Sequence, residues 1–231
     1  MNIHRAPITA LVNRKNPKVK EEWSIKQAFA LNGKKQTDQL LELALQDADS
    51  ITNAIDVYNT GSNVRSELVT VPANLSQAGD LVKDIFGNKI MSQRLSTGEL
   101  AFMATSITAF GKSRYTIHPG KAYSKGSSIK IGSNTISNGI YTVELDDAKG
   151  TIKRLLSGSS KRNFVTQDSI SFNQYLYLLG DSLKNLQTTS DAMITVKEKG
   201  PLMASLLVKS TAPGCNSLIQ EIRLALRLRQ N

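Results

Sequence analysis

A change of hydrophobic period at Ile51 constrains the fold of this 231-residue chain more than any other feature. Before Ile51, apolar residues recur at helical spacing. After it, they alternate with polar residues in short runs separated by Gly, Asn, Ser and Asp. A period of two indicates strands that bury one face, and many short strands joined by turn residues are typical of a sandwich. We therefore expect a mainly β fold, a large antiparallel β-sandwich preceded by one long α-helix.

The strand runs can be placed from this alternation. We predict strands at residues 54–59, 66–72, 99–107, 114–118, 140–145, 172–179, 193–197 and 202–209. Residues 146–150, Asp-Asp-Ala-Lys-Gly, have turn chemistry, so a hairpin is predicted between strand 140–145 and a strand at 151–156.

The helix is predicted over residues 16–46. Asn16 can cap it, and Pro17 suits a first helical position. Gly33 weakens the middle by about 1 kcal/mol, which leaves a bend or break possible there. One helical face carries four apolar residues, Leu40, Leu41, Ala44 and Leu45. A single helix cannot bury such a stripe alone, so this segment needs packing partners.

The last segment, residues 222–228, alternates Ile and Leu with Arg and Ala and predicts a strand with one apolar face. We expect it to lack a neighbouring strand and to promote self-association. Together with the unpartnered helix, it suggests that both ends are cut from something longer. The alternative is a natural edge strand, since arginines are a common way to protect an edge.

The net charge of +10 is concentrated at the two ends of the chain. Residues 1–35 hold 8 Lys and Arg against 2 Glu, whereas the 185 residues from 36 to 220 hold 18 bases and 16 acids. A nucleic-acid-binding protein should carry a basic face on its folded domain, with aromatic residues among the basic ones. We favour solvated termini and expect no nucleic-acid partner, although a basic adaptor that binds through its termini stays an alternative.

Motifs for independent catalysis or membrane insertion are missing from the sequence. No apolar window is long enough to span a membrane, and the first residues lack the apolar stretch of a secretory signal. The two histidines, His4 and His118, show no paired-ligand spacing, and no nucleophile elbow or phosphate loop occurs. Cys215 lies in a predicted turn and has no histidine nearby in sequence, so a structural thiol is expected rather than a nucleophile.

Several β segments together resemble family 38 glycoside hydrolases, the α-mannosidases. Residues 56–72, DVYNTGSNVRSELVTVP, resemble that family's first sandwich strands. Further segments match in the same order: 98–102 (GELAF), 136–143 (ISNGIYTV) with 150–153 (GTIK), 172–177 (FNQYLY), 196–202 (VKEKGPL), 212–216 (APGCN) and 221–223 (EIR). Residues 22–29 and 40–44 resemble the last helix of the family's middle helical bundle.

The resemblance implies a specific organisation. Residues 1–50 would be a basic leader and a helix from the middle domain. Residues 51–231 would be an α-mannosidase β-sandwich of the galactose-mutarotase-like supersandwich type, incomplete at its C-terminus. The family's α/β barrel, which carries the catalytic acids and most zinc ligands, would be missing.

The resemblance also implies functional expectations. We expect no catalytic residue, no metal site and no cofactor in this chain, while the parent family uses zinc. His4 could be a remnant of a His-Asp ligand pair, but Arg5 stands where the family has Asp. Tyr175 occupies the place of a tyrosine near the bound sugar, so we predict that it binds substrate; the alternative is an ordinary packing tyrosine.

These expectations define the role predicted for the chain. Its protein partner would be the missing catalytic barrel, which it would support. The parent enzyme would act on α-mannoside glycans. We expect no membrane partner. Alone it would be inactive. The alternative reading is a free-standing carbohydrate-binding sandwich.

Overall fold

The computed structural model describes residues 16–45, 53–126, 129–158, 162–166 and 170–226. The chain divides into two compact units, residues 1–51 and 52–231. His4 and Arg5 lie outside the described residues. The long helix occupies the first unit, and every described strand belongs to the second.

Helix α1 spans Pro17–Leu45 without interruption at Gly33. Asn16 caps it as predicted, because its side-chain oxygen accepts a hydrogen bond from the Lys18 N–H at 3.0 Å. Several large apolar side chains remain exposed along the helix, among them Trp23, Phe29, Leu40 and Leu41. No helix in the described part of the chain is long and apolar enough to cross a membrane.

Sixteen short strands form among the described residues of the second unit. They are β1 (Ala54–Tyr58), β2 (Arg65–Val71), β3 (Leu81–Asp84), β4 (Lys89–Ile90), β5 (Ser92–Arg94), β6 (Leu100–Ile107), β7 (Lys112–His118), β8 (Lys130–Ile131), β9 (Thr135–Ser137), β10 (Tyr141–Leu145), β11 (Ile152–Ser157), β12 (Leu176–Leu178), β13 (Leu186–Thr188), β14 (Ser190–Lys199), β15 (Met203–Thr211) and β16 (Leu218–Ala225). Every ladder between these strands is antiparallel. The prediction of a mainly β fold with one long helix before it is confirmed.

The first half of this unit is a sandwich, called sandwich 1, in which the sheet β1-β7-β3-β4 packs on the sheet β2-β6-β5. Its core combines alternate residues of β6, such as Leu100 and Phe102, with Tyr115 and Ile117 of β7. The rings of Phe102 and Tyr115 lie 4.8 Å apart in a tilted pair, a favourable aromatic arrangement.

The second half, sandwich 2, packs the sheet β11-β10-β9-β8 on the sheet β14-β15-β16. Val143 and Leu145 of β10 face Leu206 and Val208 of β15 in its core. The predicted hairpin at residues 146–150 is confirmed, because β10 pairs with β11 and the Gly150 N–H bonds the Asp146 carbonyl.

The final strand departs in part from its prediction. Ile222 and Leu224 pack on the core of sandwich 2, as the alternation indicates. The observed strand is Leu218–Ala225, so it begins four residues before the predicted start, and residues 227 and 228 lie outside the described part. The expectation that this segment lacks a neighbouring strand is wrong, because β16 pairs along its length with β15. Among the described strands β15 is its one partner, so the other edge of β16 ends the sheet.

The predicted strand 172–179 is wrong over its first half. Residues 171–174 form a turn in which Asn173 adopts a left-handed φ of 67°, and β12 begins only at Leu176. Asparagine tolerates this conformation because its short side chain can bond locally, so the apolar pattern alone could not place the break.

Candidate functional site

Tyr175, the predicted sugar contact, lies between the 171–174 turn and strand β12. Strand β12 pairs with β13 as a two-stranded ribbon, with Leu176 opposite Thr188. An isolated bridge between Phe172 and Ile152 fastens the turn to β11. Tyr175 is therefore held at the end of a short ribbon anchored on sandwich 2.

The hydroxyl of Tyr175 donates a hydrogen bond to the carbonyl of Pro213 at 2.8 Å. Pro213 belongs to residues 212–217, the turn that joins β15 to β16. This bond brings together two of the segments on which the family resemblance rests, 172–177 and 212–216. Since a phenol has one proton, the oxygen of Tyr175 can then only accept from a ligand, and its ring face offers the other means of contact.

Tyr177, two residues after Tyr175 and within strand β12, contacts the same turn. Gly214 has a φ of +77°, and a Cβ added to it would lie 2.3 Å from Cε2 of Tyr177. Only glycine satisfies both the left-handed backbone and this close approach. The 212–217 turn is thus fixed by two tyrosines spaced two residues apart.

A hydrogen-bond chain fixes the backbone of Tyr175 as well. Thr188 Oγ1 donates to the Tyr175 carbonyl at 3.0 Å, and Gln174 Nε2 donates to Thr188 Oγ1 at 2.9 Å. The Gln174 side-chain oxygen accepts from the Ser171 N–H at 2.7 Å. Tyr175 is therefore a preorganised side chain, positioned through both its main chain and its hydroxyl.

The surroundings of Tyr175 further disfavour the ionised form of its phenol. Loss of solvation raises its pKa above the ordinary value, and the neighbouring Cys215 adds to the shift. Cys215 is exposed in the turn, with its Sγ 3.6 Å from the Ala212 carbonyl. The predicted position of Cys215 in a turn is confirmed. The Tyr175 side chain can offer a ligand hydrogen bonding and stacking.

A polar cleft of about 330 Å³ borders the same turn. Asn216 and Ser217 line it together with Asp191, Met193, Lys209, Ser210 and Thr211. Asp191 has a left-handed φ of 54° where the ladder between β14 and β15 shifts register. Such strained positions recur at binding sites, where a bulge redirects a side chain. The 212–217 turn contacts Tyr175 through Pro213 and lines a cleft rich in hydrogen-bonding groups through Asn216 and Ser217.

Two other residues considered for chemistry, His118 and Asp146, have structural partners. His118 Nε2 lies 2.9 Å from Thr116 Oγ1, and Asp146 accepts from the N–H groups of Ala148 and Lys149 within its turn. Within the described ranges, no three His, Cys, Asp or Glu side chains are grouped to hold a metal ion. The described residues therefore do not fit a zinc site.

Comparison with known proteins gives matches only among solved structures. No protein-family model and no curated protein matches the sequence. A glycosyl hydrolase family 38 protein from Enterococcus faecalis matches 68% of this chain and 24% of its own, with 16% identity and a TM-score of 0.47. An α-mannosidase from Enterococcus faecalis V583 matches 84% of this chain and 28% of its own, with 16% identity and a TM-score of 0.56.

This chain shares the fold of part of an α-mannosidase. The resemblance to family 38 that the sequence segments indicate is confirmed at the level of fold. The chain spans about a quarter of the length of these two structures, since the matches cover 24% and 28% of them.

The sequence predicts Tyr175 as a sugar contact but does not predict what surrounds it. The partnership with Pro213 and the cleft around Asp191 depend on contacts between residues far apart in sequence. The only local signal for the close turn contact is the Pro-Gly pair at 213–214, which marks a turn without revealing what packs against it.

Proposed function

We propose that this chain is a non-catalytic part of a family 38 α-mannosidase and that it supports the catalytic barrel and completes its sugar pocket. The observation that carries the proposal is the α-mannosidase fold match, which covers 84% of this chain but only 28% of the matched enzyme. A chain built in this way supplies a framework, while the reacting groups belong to the remainder of the enzyme.

Hydrolysis is assigned to the parent enzyme by analogy with the family. A retaining glycosidase needs two carboxyl groups on either side of the scissile bond, and zinc can polarise or orient the sugar. In this chain Asp56 is engaged by the Arg114 guanidinium at 2.6 and 2.7 Å, and Asp146 stabilises a turn. The described residues do not fit a zinc site.

Tyr175 is the residue proposed to reach the mannose. Its bond to Pro213 and the fixed Tyr175 carbonyl support a rigid position, and rigidity lowers the entropic cost of binding a flexible sugar. The phenol ring would stack on a sugar face, and its oxygen would accept from a sugar hydroxyl.

A direct assay tests the non-catalytic assignment. The purified 231-residue chain is incubated with 4-nitrophenyl α-mannoside, with and without added zinc. We expect no release of nitrophenol above the buffer blank. Zinc-dependent turnover that follows this chain through successive purification steps would contradict the proposal.

The supporting role needs a second experiment. If a polypeptide with the family's α/β barrel is encoded immediately upstream, the two are co-expressed and purified through a tag on the barrel. We expect co-purification and α-mannosidase activity, with KM raised by Tyr175→Ala and less by Tyr175→Phe. An active barrel that neither binds nor needs this chain would refute the supporting role.

The polar cleft beside the 212–217 turn favours a second candidate function, a free-standing carbohydrate-binding sandwich. Glycan binding by this chain in the absence of any barrel, abolished by Tyr175→Ala, would support that function over the first.

A further inference from the structure

A cleft on sandwich 1, remote in sequence from Tyr175, combines an exposed aromatic with several hydroxyl groups. It encloses about 420 Å³, within the range of about 300–1,000 Å³ for small-molecule sites. It lies between the turn that joins β3 to β4 and the first residues of β7. The cleft is lined by Asp84, Ile85, Phe86, Ile90, Thr105, Ser106, Lys112, Ser113, Arg114 and Tyr115.

One wall of the cleft is an apolar turn tip held rigid by Asp84. The Asp84 carboxylate accepts from the N–H groups of Phe86 and Asn88 and from the Asn88 side-chain amide, each at 2.9 Å. Gly87 supplies the left-handed residue of the turn, with a φ of 82°. Phe86 is 82% exposed and Ile85 69% exposed on this tip. The turn therefore holds the backbone at Phe86 in place and presents its aromatic side chain to solvent.

Two of the hydroxyls that line the cleft are exposed by a bulge in β6. Arg65 pairs with Ile107 but Glu67 pairs with Ala104, so β6 carries one extra residue there. The bulge breaks the alternation, and the adjacent Thr105 and Ser106 are both exposed and both line the cleft. Ser106 has a left-handed φ of 54°, and its N–H bonds the Ser66 hydroxyl at 2.9 Å. Strain of this kind at a cleft is a mark of a functional position.

The charges of the cleft are already engaged. Arg114 forms a bidentate pair with Asp56, and the Asp84 carboxylate is taken up by its turn. Lys112 lies 3.7 Å from Asp56 and 5.9 Å from the Tyr58 ring centre. A charged ligand would have to compete for these groups. A neutral ligand needs only the aromatic face of Phe86 and the hydroxyl groups of the cleft. Each hydroxyl can both donate and accept a hydrogen bond.

We propose that this cleft binds a neutral saccharide, with the apolar face of a sugar ring on Phe86 and sugar hydroxyls on Thr105, Ser106 and Ser113. Saccharides have this amphipathic character, with C–H groups on one face and hydroxyls around the rim. The site lies on sandwich 1 and shares none of the residues around Tyr175, so it goes beyond the supporting role proposed above.

The test measures binding of α-mannobiose, mannotriose, maltotriose and cellotriose to the full chain by calorimetry and by amide chemical-shift changes. We expect saturable binding of at least one saccharide, with shifts clustered at residues 84–90 and 105–115. Phe86→Ala should raise Kd about tenfold or more, as expected for loss of an aromatic contact.

Two further variants make the test specific. Phe110→Ala removes an aromatic that is 77% exposed and does not line the cleft, so its Kd should change less than about twofold. Ser106→Gly deletes a hydroxyl where glycine suits the backbone, so it should weaken binding without lowering stability.

The opposite outcomes are equally defined. No saturable binding to any of the four saccharides would overturn the proposal, as would equal losses for Phe86→Ala and Phe110→Ala. Self-association of the chain that Phe86→Ala abolishes, with no saccharide binding, would assign the apolar tip to protein contact and refute the saccharide site. Tyr175→Ala separates this site from the proposed mannose contact, because it should leave binding here unchanged.

Discussion

The side chain of Gln93 bonds the backbone of Met203 through both the N–H and the carbonyl group. Gln93 Nε2 donates to the Met203 carbonyl at 3.0 Å, and Gln93 Oε1 accepts from the N–H groups of Met203 and Leu202 at 2.9 Å. Gln93 is on β5 of sandwich 1, and Met203 begins β15 of sandwich 2. One buried amide therefore connects the two sandwiches in the manner of a β-ladder.

Replacing this amide should destabilise the second unit strongly. Gln93→Leu removes the hydrogen-bond partner of the Leu202 and Met203 N–H groups and of the Met203 carbonyl. Each of these groups that stays buried without water lowers the free energy of unfolding by about 1–3 kcal/mol. We expect a loss of about 3 kcal/mol or more in urea unfolding. Gln187→Leu, on the exposed strand β13, is the matched control and should change stability by about 0.5 kcal/mol or less. Equal effects of the two substitutions would show that Gln93 does not connect the sandwiches.

Gly214 should be intolerant of a side chain for two separable reasons. Alanine there meets both a left-handed φ and the ring of Tyr177, whereas Gly180 has a φ of +81° with nothing within 4 Å of an added Cβ. Gly180→Ala should cost about 1 kcal/mol from backbone strain alone. Gly214→Ala should cost about 1–3 kcal/mol more from overpacking. Thermal unfolding of both variants measures the difference, and indistinguishable melting temperatures would rule out the contact with Tyr177.

The hydroxyl of Tyr175 should contribute to stability through Pro213. Tyr175→Phe keeps the ring and removes one hydrogen bond, so we expect a loss of about 1 kcal/mol in urea unfolding. Tyr141→Phe, at a tyrosine that is 37% exposed, serves as the control and should be nearly neutral. A neutral Tyr175→Phe variant would indicate that the phenol does not hold the 212–217 turn.

Glu221 should make stability fall in acid. Burial alone would raise its pKa, but hydrogen bonds from Lys197 at 2.7 Å and Arg223 at 2.9 Å lower the pKa from 4.5 to about 2. Because the folded pKa is depressed, the stabilisation is fully present above pH 4.5 and is lost as pH falls toward 2.

The measurement is urea unfolding of the wild type and Glu221→Gln between pH 7 and pH 2. We expect the wild type to lose about 2 kcal/mol more than the variant over this range. Glu67→Gln is the control, since Glu67 is exposed and lies 3.7 Å from Arg65. If Glu221→Gln and the wild type show the same acid dependence, the depressed pKa is refuted.

The sequence predicted the features that depend on near neighbours. Asn16 caps α1 through a bond to a residue two positions away, and the 146–150 turn closes the β10–β11 hairpin with its own groups. Alternation also placed Val143 and Leu145 on the buried face of their strand. In each case a short stretch of chain contains both the cause and the result.

Tertiary structure decided the rest, because the groups involved are far apart along the chain. Tyr175 and Pro213 are 38 positions apart, and Gln93 and Met203 are 110 apart. The bulge that exposes Thr105 and Ser106 together arises from the register of β6 against β2, which no local pattern encodes. Sequence alone therefore determined the kinds of element and the faces they bury. Only packing of distant strands determined which polar groups meet, since that depends on how each buried donor and acceptor finds a partner.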